Sequence, residues 1–250
     1  MELPAPFELR DQHLEIELPG ARALFTTRRG GFSSGAYATL NLGRLTPDEP
    51  AAVTRNRELL QERIGAALTI VHQVHGSNVK RLTDAPETYA APRDGELEQA
   101  DGQATARAGL APMVLTADCL PVALAGGGAV AILHAGWRGL VEGVLAEGVG
   151  ALRELGRDGP LEAAIGPGAG RCCYEVGEEV HRQFASYGER SRHGSNLDLK
   201  LIAREQLERA GVQTVHDVGL CTICAPESLF FSHRRDRGVT GRQAGIAWLT

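Results

Sequence analysis

The chain has 250 residues, 43% of them hydrophobic and 23% charged, enough for a full core. Its 26 Lys and Arg against 31 Asp and Glu give a net charge of -5, which argues against a general nucleic-acid binder. No apolar run approaches the roughly 18 residues of a membrane span, so no integral membrane protein is expected.

In chain order, Glu2, Glu8, Asp11 and Glu15 stand where a signal peptide places basic and then apolar residues, so a cytoplasmic protein is expected. Arg22 to Thr27 is a short β-rich run. Helical spacing follows at Val53, Leu60 and Ile64, with Asp48 as the expected N-cap. Leu68 to Gln73 reads as another strand, and Thr83 to Gln103 as a long surface loop. Met113 to Cys119 and Ala129 to His134 are apolar runs on either side of the triplet Gly126-Gly127-Gly128, a hairpin signal because glycine accepts the positive φ of a tight turn. A one-sided helix is expected over Val141, Val144, Leu145, Val149, Leu152 and Leu155. Leu161 to Ile165 and Val215 to Leu220 read as strands. Val176, Val180, Phe184 and then Leu199, Ile202, Ala203, Leu207, Ala210 read as helices. The interleaving predicts a mixed α/β or α+β class, and no linker divides the chain, so one domain is expected over 1–250.

Three places put ligand-type or nucleophile-type residues where strands should end: His72-Gln-Val-His75-Gly, Thr116-Ala-Asp118-Cys119 and His134-Ala-Gly-Trp137-Arg138-Gly. One Cys with two His matches a catalytic zinc site, in which three protein ligands leave a fourth position open. The plainer alternative makes Cys119 a buried small hydrophobe and the histidines hydrogen-bonded core residues. Within HQVH, His75 is the expected ligand: it lies on the opposite strand face from His72, and Gly76 frees the backbone to turn towards a site. The same residues also suit a Cys119 nucleophile with a His base, oriented by Asp118. Arg138 sits four residues from His134 in a Gly-flanked turn.

Other patterns carry less. Gly166-Pro-Gly-Ala-Gly170 with Arg171 could cradle an anion but matches no nucleotide loop, and a structural turn is expected. Arg28-Arg29 and Arg234-Arg235 offer guanidinium groups for phosphate or carboxylate. Cys221-Thr-Ile-Cys224 lacks a second CxxC to complete a four-cysteine zinc site, and Cys172-Cys173 reads as packing. His13, His181, His193, His216 and His233 show no partner pattern.

The ordered motifs FTTRRGGFSSGAYATLNLG, HQVHGSNV, ADGQAT, LTADCLPV, ILHAGWRG, AIGPGAGRCCYEVG and CTIC…FFSHRRD…TGRQAGIAWL span residues 24–248 and resemble the YfiH-like family, also called laccase-domain, polyphenol oxidase or FAMIN-related proteins. The resemblance implies a single domain of layered mixed β-sheets flanked by helices. It implies a metal held by His75, Cys119 and His134, zinc rather than copper, since a multicopper centre needs further His clusters. It also implies a purine nucleoside enzyme: phosphorolysis of adenosine, inosine, guanosine or methylthioadenosine, and deamination of adenosine. Cys119, Asp118 and Arg138 are then the expected catalytic residues, with Asp118 a proton carrier. Asn41, Arg28, Arg44 and Gln73 are the expected contacts to nucleoside and phosphate. His233 replaces the tyrosine that commonly precedes the family's Arg pair. The alternative is a Cys119-dependent hydrolase or amidase editing a peptidoglycan precursor. The expected partners are small molecules, with no nucleic acid or membrane, and the chain is expected to be a monomer.

Overall fold

The structure, a computed structural model, describes residues 3–84, 97–156 and 158–250. Along the chain come β1 (Glu8–Arg10), β2 (His13–Leu18), β3 (Ala21–Phe25), α1 (Pro50–Ile64), β4 (Ala67–Thr69), β5 (Val79–Leu82), β6 (Gly102–Thr105) and β7 (Leu110–Thr116). They are followed by β8 (Leu120–Gly126), β9 (Ala129–Ala135), α2 (Trp137–Glu142), α3 (Val144–Leu155), β10 (Glu162–Ile165) and α4 (Glu178–Gln183). The small ribbon β11 (Arg192–His193) and β12 (Asn196–Leu197), α5 (Leu199–Arg209), β13 (Thr214–Asp217) and β14 (Gln243–Leu249) complete the chain.

Two six-stranded mixed sheets stack face to face, ordered β1-β2-β3-β14-β7-β4 and β13-β10-β8-β9-β6-β5. The period-2 alternation of strand side chains sorts the core into layers. On β8, Ala123 and Ala125 join Phe25, Val114 and Ile16 of the other sheet, while Val122 and Leu124 face α3 and α5. The first sheet turns Leu24, Met113 and Ile246 outward onto Leu60 of α1. The sheets approach closely where a Cβ on Gly245 would lie 2.6 Å from Pro121 Cβ, so this crossing admits only glycine. The expected mixed α/β single domain of layered sheets is what the chain forms. Among the described residues no helix is long and apolar enough to cross a membrane.

Several elements differ from expectation. The Gly-rich turn joins β8 to β9, with Gly126 opposite Ala129 and positive φ at Gly127 (60°) and Gly128 (78°). The run before Cys119 is therefore not an arm of this hairpin; it is β7, which pairs with β14 in the other sheet. Strand β4 stops at Thr69, because the Gln73 side-chain amide, not backbone, pairs with Leu115: Nε2 donates to its carbonyl (2.9 Å) and Oε1 accepts from its N–H (2.7 Å). The helix expected from Val141 to Leu155 breaks at Gly143 (φ 89°) into α2 and α3, leaving Val141 exposed. Asp48 does not cap α1; its carboxylate accepts from Glu49 N–H and from the Asn41 amide. Part of the expected surface loop is interior: Ala100 and Asp101 are buried and β6 starts at Gly102, whereas residues 85–96 lie outside the described residues.

His13 on β2 is 5% exposed, and its Nδ1 accepts from Thr27 N–H at 3.2 Å. Burial, with help from the Arg63 charge, holds its pKa down from 6.5 to about 4. A base whose folded pKa is depressed stabilises the fold above its unfolded pKa, and that stability is lost as pH falls from 6.5 towards 4. The loss expected from this residue is about 3 kcal/mol. Urea titrations at pH 7 and pH 4 should show wild type losing about that much more than His13→Asn, whose amide oxygen can still accept from Thr27. Parallel losses would remove His13 as a source of the pH dependence.

Candidate metal centre and active site

Strand β9 turns Val130 and Ile132 between the sheets, and His134 continues that face at the open end of the β8–β9 hairpin. Cys119 lies on the chain's passage from β7 in one sheet to β8 in the other. His75 ends the HQVH segment with φ 62°, a left-handed backbone that few non-glycine residues adopt. Ligand atoms of His75, Cys119 and His134 lie within 4.8 Å of one another, and the two imidazoles meet edge to face with centroids 4.8 Å apart. His134 is buried, Cys119 partly exposed and His75 exposed, so the trio opens to one side.

Asp101, fully buried, organises this trio. Its Oδ1 accepts from His75 N–H (2.9 Å) and His134 Nδ1 (2.7 Å), and its Oδ2 from Val74 (3.1 Å) and Gly76 (2.7 Å). Its carbonyl takes the His134 N–H at 2.7 Å. One carboxylate therefore fixes the strained His75 backbone and, by accepting a hydrogen bond from His134 Nδ1, leaves Nε2 as the ring nitrogen available to a metal. Burial raises and the hydrogen bonds lower the Asp101 pKa, which ends below the usual carboxylate range. Burial likewise pushes the Cys119 thiol up, but the His134 charge and the hydrogen bonds from both histidines prevail and bring it down to about 6. His134 moves the other way, to about 9, because Cys119 and Asp101 outweigh its burial.

The donor set fits a single metal ion. One ionisable thiol and two imidazoles suit zinc or copper, and three protein ligands leave a position open to the cleft. Room for convergence comes from Gly136, where a Cβ would lie 3.0 Å from Cys119 Sγ and 3.3 Å from His75 Cδ2. Among the described residues no third imidazole joins these ligands, so a multi-copper cluster does not fit.

The trio lies in a cleft of about 690 Å³, within the range of small-molecule sites. Ile70, Leu97, Met113 and Leu115 form apolar wall, while Arg44, Arg57, Arg234 and Arg242 contribute positive charge against the lone carboxylate of Asp118 among the lining residues. Tyr174, His72 and His233 complete much of the rim. Burial, with Cys119 and Asp118 adding to it, pushes the Tyr174 phenol above its usual range, so it keeps its proton.

Of the residues expected from sequence, His75, Cys119 and His134 come together, and Asp118, Gln73 and Arg44 line the same cleft. Three others do not reach it. Asn41 is fully buried and holds the 41–48 loop and the N–H groups of Gly43 and Arg242. The Arg28 guanidinium donates to the carbonyls of Ala36, Ala38 and Glu227 and stacks over Phe231. Arg138 is exposed on α2 over the Trp137 ring. Asp118 (φ 97°) has both carboxylate oxygens engaged, by Thr222 Oγ1 and by Arg234 N–H, each at 2.7 Å, which suits holding the Cys119 turn better than carrying protons. Asp101, Arg57, Arg242 and Tyr174 were missed; only the Asp-Gly step in ADGQAT pointed to the first of them. Cys172-Cys173, expected to serve in packing, has both sulfurs within 4.8 Å of those of Cys221 and Cys224.

Residues 22–250 match the family model described as multi-copper polyphenol oxidoreductase laccase. A Streptomyces coelicolor protein named purine nucleoside phosphorylase is 43% identical, covering 92% of this chain and 96% of its own. Escherichia coli YfiH, also named purine nucleoside phosphorylase, is 36% identical over 92% and 94% of the two chains. The crystal structure of Bacillus licheniformis YfiH superposes with a TM-score of 0.89 at 31% identity, covering 99% of this chain and 100% of that one. YlmD from Geobacillus stearothermophilus gives 0.85 at 32%, covering 98% and 99%. With the fold, the ordered motifs and these likenesses in agreement, the chain belongs to the YfiH-like, laccase-domain family.

Proposed function

We propose that this chain is a zinc-dependent purine nucleoside phosphorylase that also deaminates adenosine. The observation that carries the proposal is an open three-ligand centre in a cleft lined by apolar side chains and four arginines. An apolar wall suits a purine face, and guanidinium groups suit phosphate through paired charge-assisted hydrogen bonds. Adenosine, inosine, guanosine and methylthioadenosine share that base-and-ribose shape.

His75, Cys119 and His134 would hold the metal, which when bound supplies Lewis-acid polarisation and lowers the pKa of an oxygen ligand. The chain's own residues do the rest. Arg44, Arg57, Arg234 and Arg242 line the same cleft and would collect phosphate there. A phosphate oxygen bonds to ribose C1′ and the phosphate gives up its proton, while the C1′–N9 bond breaks, its electron pair passes to the purine, and the purine takes up one proton. Tyr174, holding its hydroxyl proton at the cleft wall, can donate a hydrogen bond to the departing base. Asp101 keeps His134 Nδ1 occupied, and Asp118 keeps the Cys119 turn in place.

A second reading is favoured by the succession Cys119–His134–Asp101, a nucleophile, base and orienting carboxylate of the kind amide hydrolases use. Chromatography of adenosine incubated with zinc-loaded protein, with and without phosphate, separates these. Adenine appearing only with phosphate establishes the phosphorylase, and inosine in either tube establishes the deaminase. Unchanged adenosine in both, from folded metal-loaded protein, rejects the proposal and brings the amidase forward.

A further inference from the structure

Four cysteines remote from the Cys119 trio in sequence gather in one place. Cys172 and Cys173 sit in the turn after Gly170, and Cys221 and Cys224 in the turn after β13; all four sulfurs lie within 4.8 Å of one another. Cys172 Sγ is 3.5 Å from both Cys173 Sγ and Cys224 Sγ. A disulfide needs about 2.05 Å. Four thiolates around one ion at about 2.3 Å would instead stand roughly 3.8 Å apart, so the cluster already approaches that spacing. An iron–sulfur cluster places several irons and sulfides between its thiolates and needs a wider set.

The backbone is shaped for such a ligand set. Gly170 N–H donates to Cys221 Sγ at 3.2 Å, and the N–H groups of Ile223 and Cys224 point at the same sulfur. N–H groups converging on a sulfur favour its thiolate form, the form that binds metal. A Cβ on Gly170 would lie 3.1 Å from Cys221 Cβ and 3.3 Å from Cys172 Sγ, so a larger residue there would crowd two of the four cysteines. Backbone bonds from Thr222 N–H to Gly168 carbonyl (3.0 Å) and from Gly168 N–H to Leu220 carbonyl (3.3 Å) align the two turns.

We propose that Cys172, Cys173, Cys221 and Cys224 form a second, structural metal site that takes one zinc ion in a closed tetrahedral four-sulfur shell. It would staple together two segments that bear on the cleft: Tyr174 lines it, and Thr222 holds Asp118 beside Cys119. No position is left open for substrate, so its contribution is to the geometry of the cleft wall.

Elemental analysis of protein produced in zinc-supplemented medium tests this. Wild type should carry two zinc ions per chain, and His75→Ala/His134→Ala should carry one. X-ray absorption of that variant should show sulfur neighbours only, at about 2.3 Å. Cys172→Ser/Cys224→Ser should also retain one zinc, with a mixed nitrogen and sulfur shell. Should either variant misfold, cobalt(II)-reconstituted wild type still decides: thiolate-to-cobalt absorption should count five sulfur bonds, four from this cluster and one from Cys119. A single zinc per wild-type chain that disappears with the histidines would overturn the proposal. So would iron in place of zinc, or a disulfide among the four found by non-reducing peptide mapping.

Discussion

Asp101→Asn should lower zinc affinity at the His75–Cys119–His134 centre by about 10- to 100-fold, the range for losing a partner that orients a metal ligand. The amide is nearly the same size as the carboxylate, so the effect comes from the lost negative charge and the reversed hydrogen-bond polarity rather than from packing. Asp101 accepts four hydrogen bonds, two on each oxygen. If the new NH2 replaces Oδ2, it faces the N–H groups of Val74 and Gly76, and both lose their acceptor. If it replaces Oδ1, only the His75 N–H must go unpaired, because an imidazole can change tautomer. Each orphaned buried donor costs about 1–3 kcal/mol, so the second orientation prevails. His134 Nδ1 then accepts, its proton moves to Nε2, and Nε2 ceases to be a ligand. Competition titration against a zinc-chelating dye reads the affinity, and thermal melting confirms that the variant is folded. Affinity within twofold of wild type would rule out Asp101 as the group that sets the His134 tautomer. Asp101→Ala leaves all four donors unpaired and should lower stability by several kcal/mol.

What was legible in the sequence follows from how locally each feature is encoded. Cys119 and His134 stand at strand ends and His75 beside a turn glycine, so the sequence could single out all three as ligand candidates without knowledge of the pairing. The hairpin turn was equally local, three glycines whose positive φ admits few alternatives. Its second arm was not. Strands β7 and β8 are neighbouring apolar runs buried on both faces, and periodicity cannot say that they belong to different sheets. Asn41 and Arg28 resembled site residues because amides and guanidiniums serve ligands and backbone carbonyls alike; burial decides between them, and burial is a tertiary property. Asp101 lay in a stretch whose polarity suggested a surface loop, yet its charge is matched by donors from residues about 25 positions earlier and from His134. The four-cysteine cluster joins two turns roughly 50 residues apart, and adjacent cysteines plus one CxxC form no recognisable metal motif until the fold brings them together.

Cys119→Ser should reduce phosphorolysis by at least about 10²- to 10³-fold, the scale of removing one group that stabilises developing charge. A serine hydroxyl stays neutral near pH 7, so the centre loses its anionic ligand, and His134 loses the partner that raises its pKa to about 9. That loss alone does not separate a ligand from a nucleophile, since both roles need the thiolate. Wild type stripped of metal separates them. If Cys119 acts as a ligand, the stripped protein is as inactive on nucleosides as the variant, and zinc restores only wild type. If it acts as a nucleophile, the stripped protein cleaves amide substrates and the variant does not. Iodoacetamide labelling adds a check independent of any substrate. In the stripped protein the Cys119 peptide should label with a midpoint near pH 6, because the thiolate is populated above about 6 and protonated below it. An ordinary thiol would label with a midpoint of about 8.5. Zinc that blocks this labelling and restores phosphorolysis at the same occupancy ties both effects to one sulfur. Zinc that restores activity while Cys119 remains fully reactive would place the working metal elsewhere.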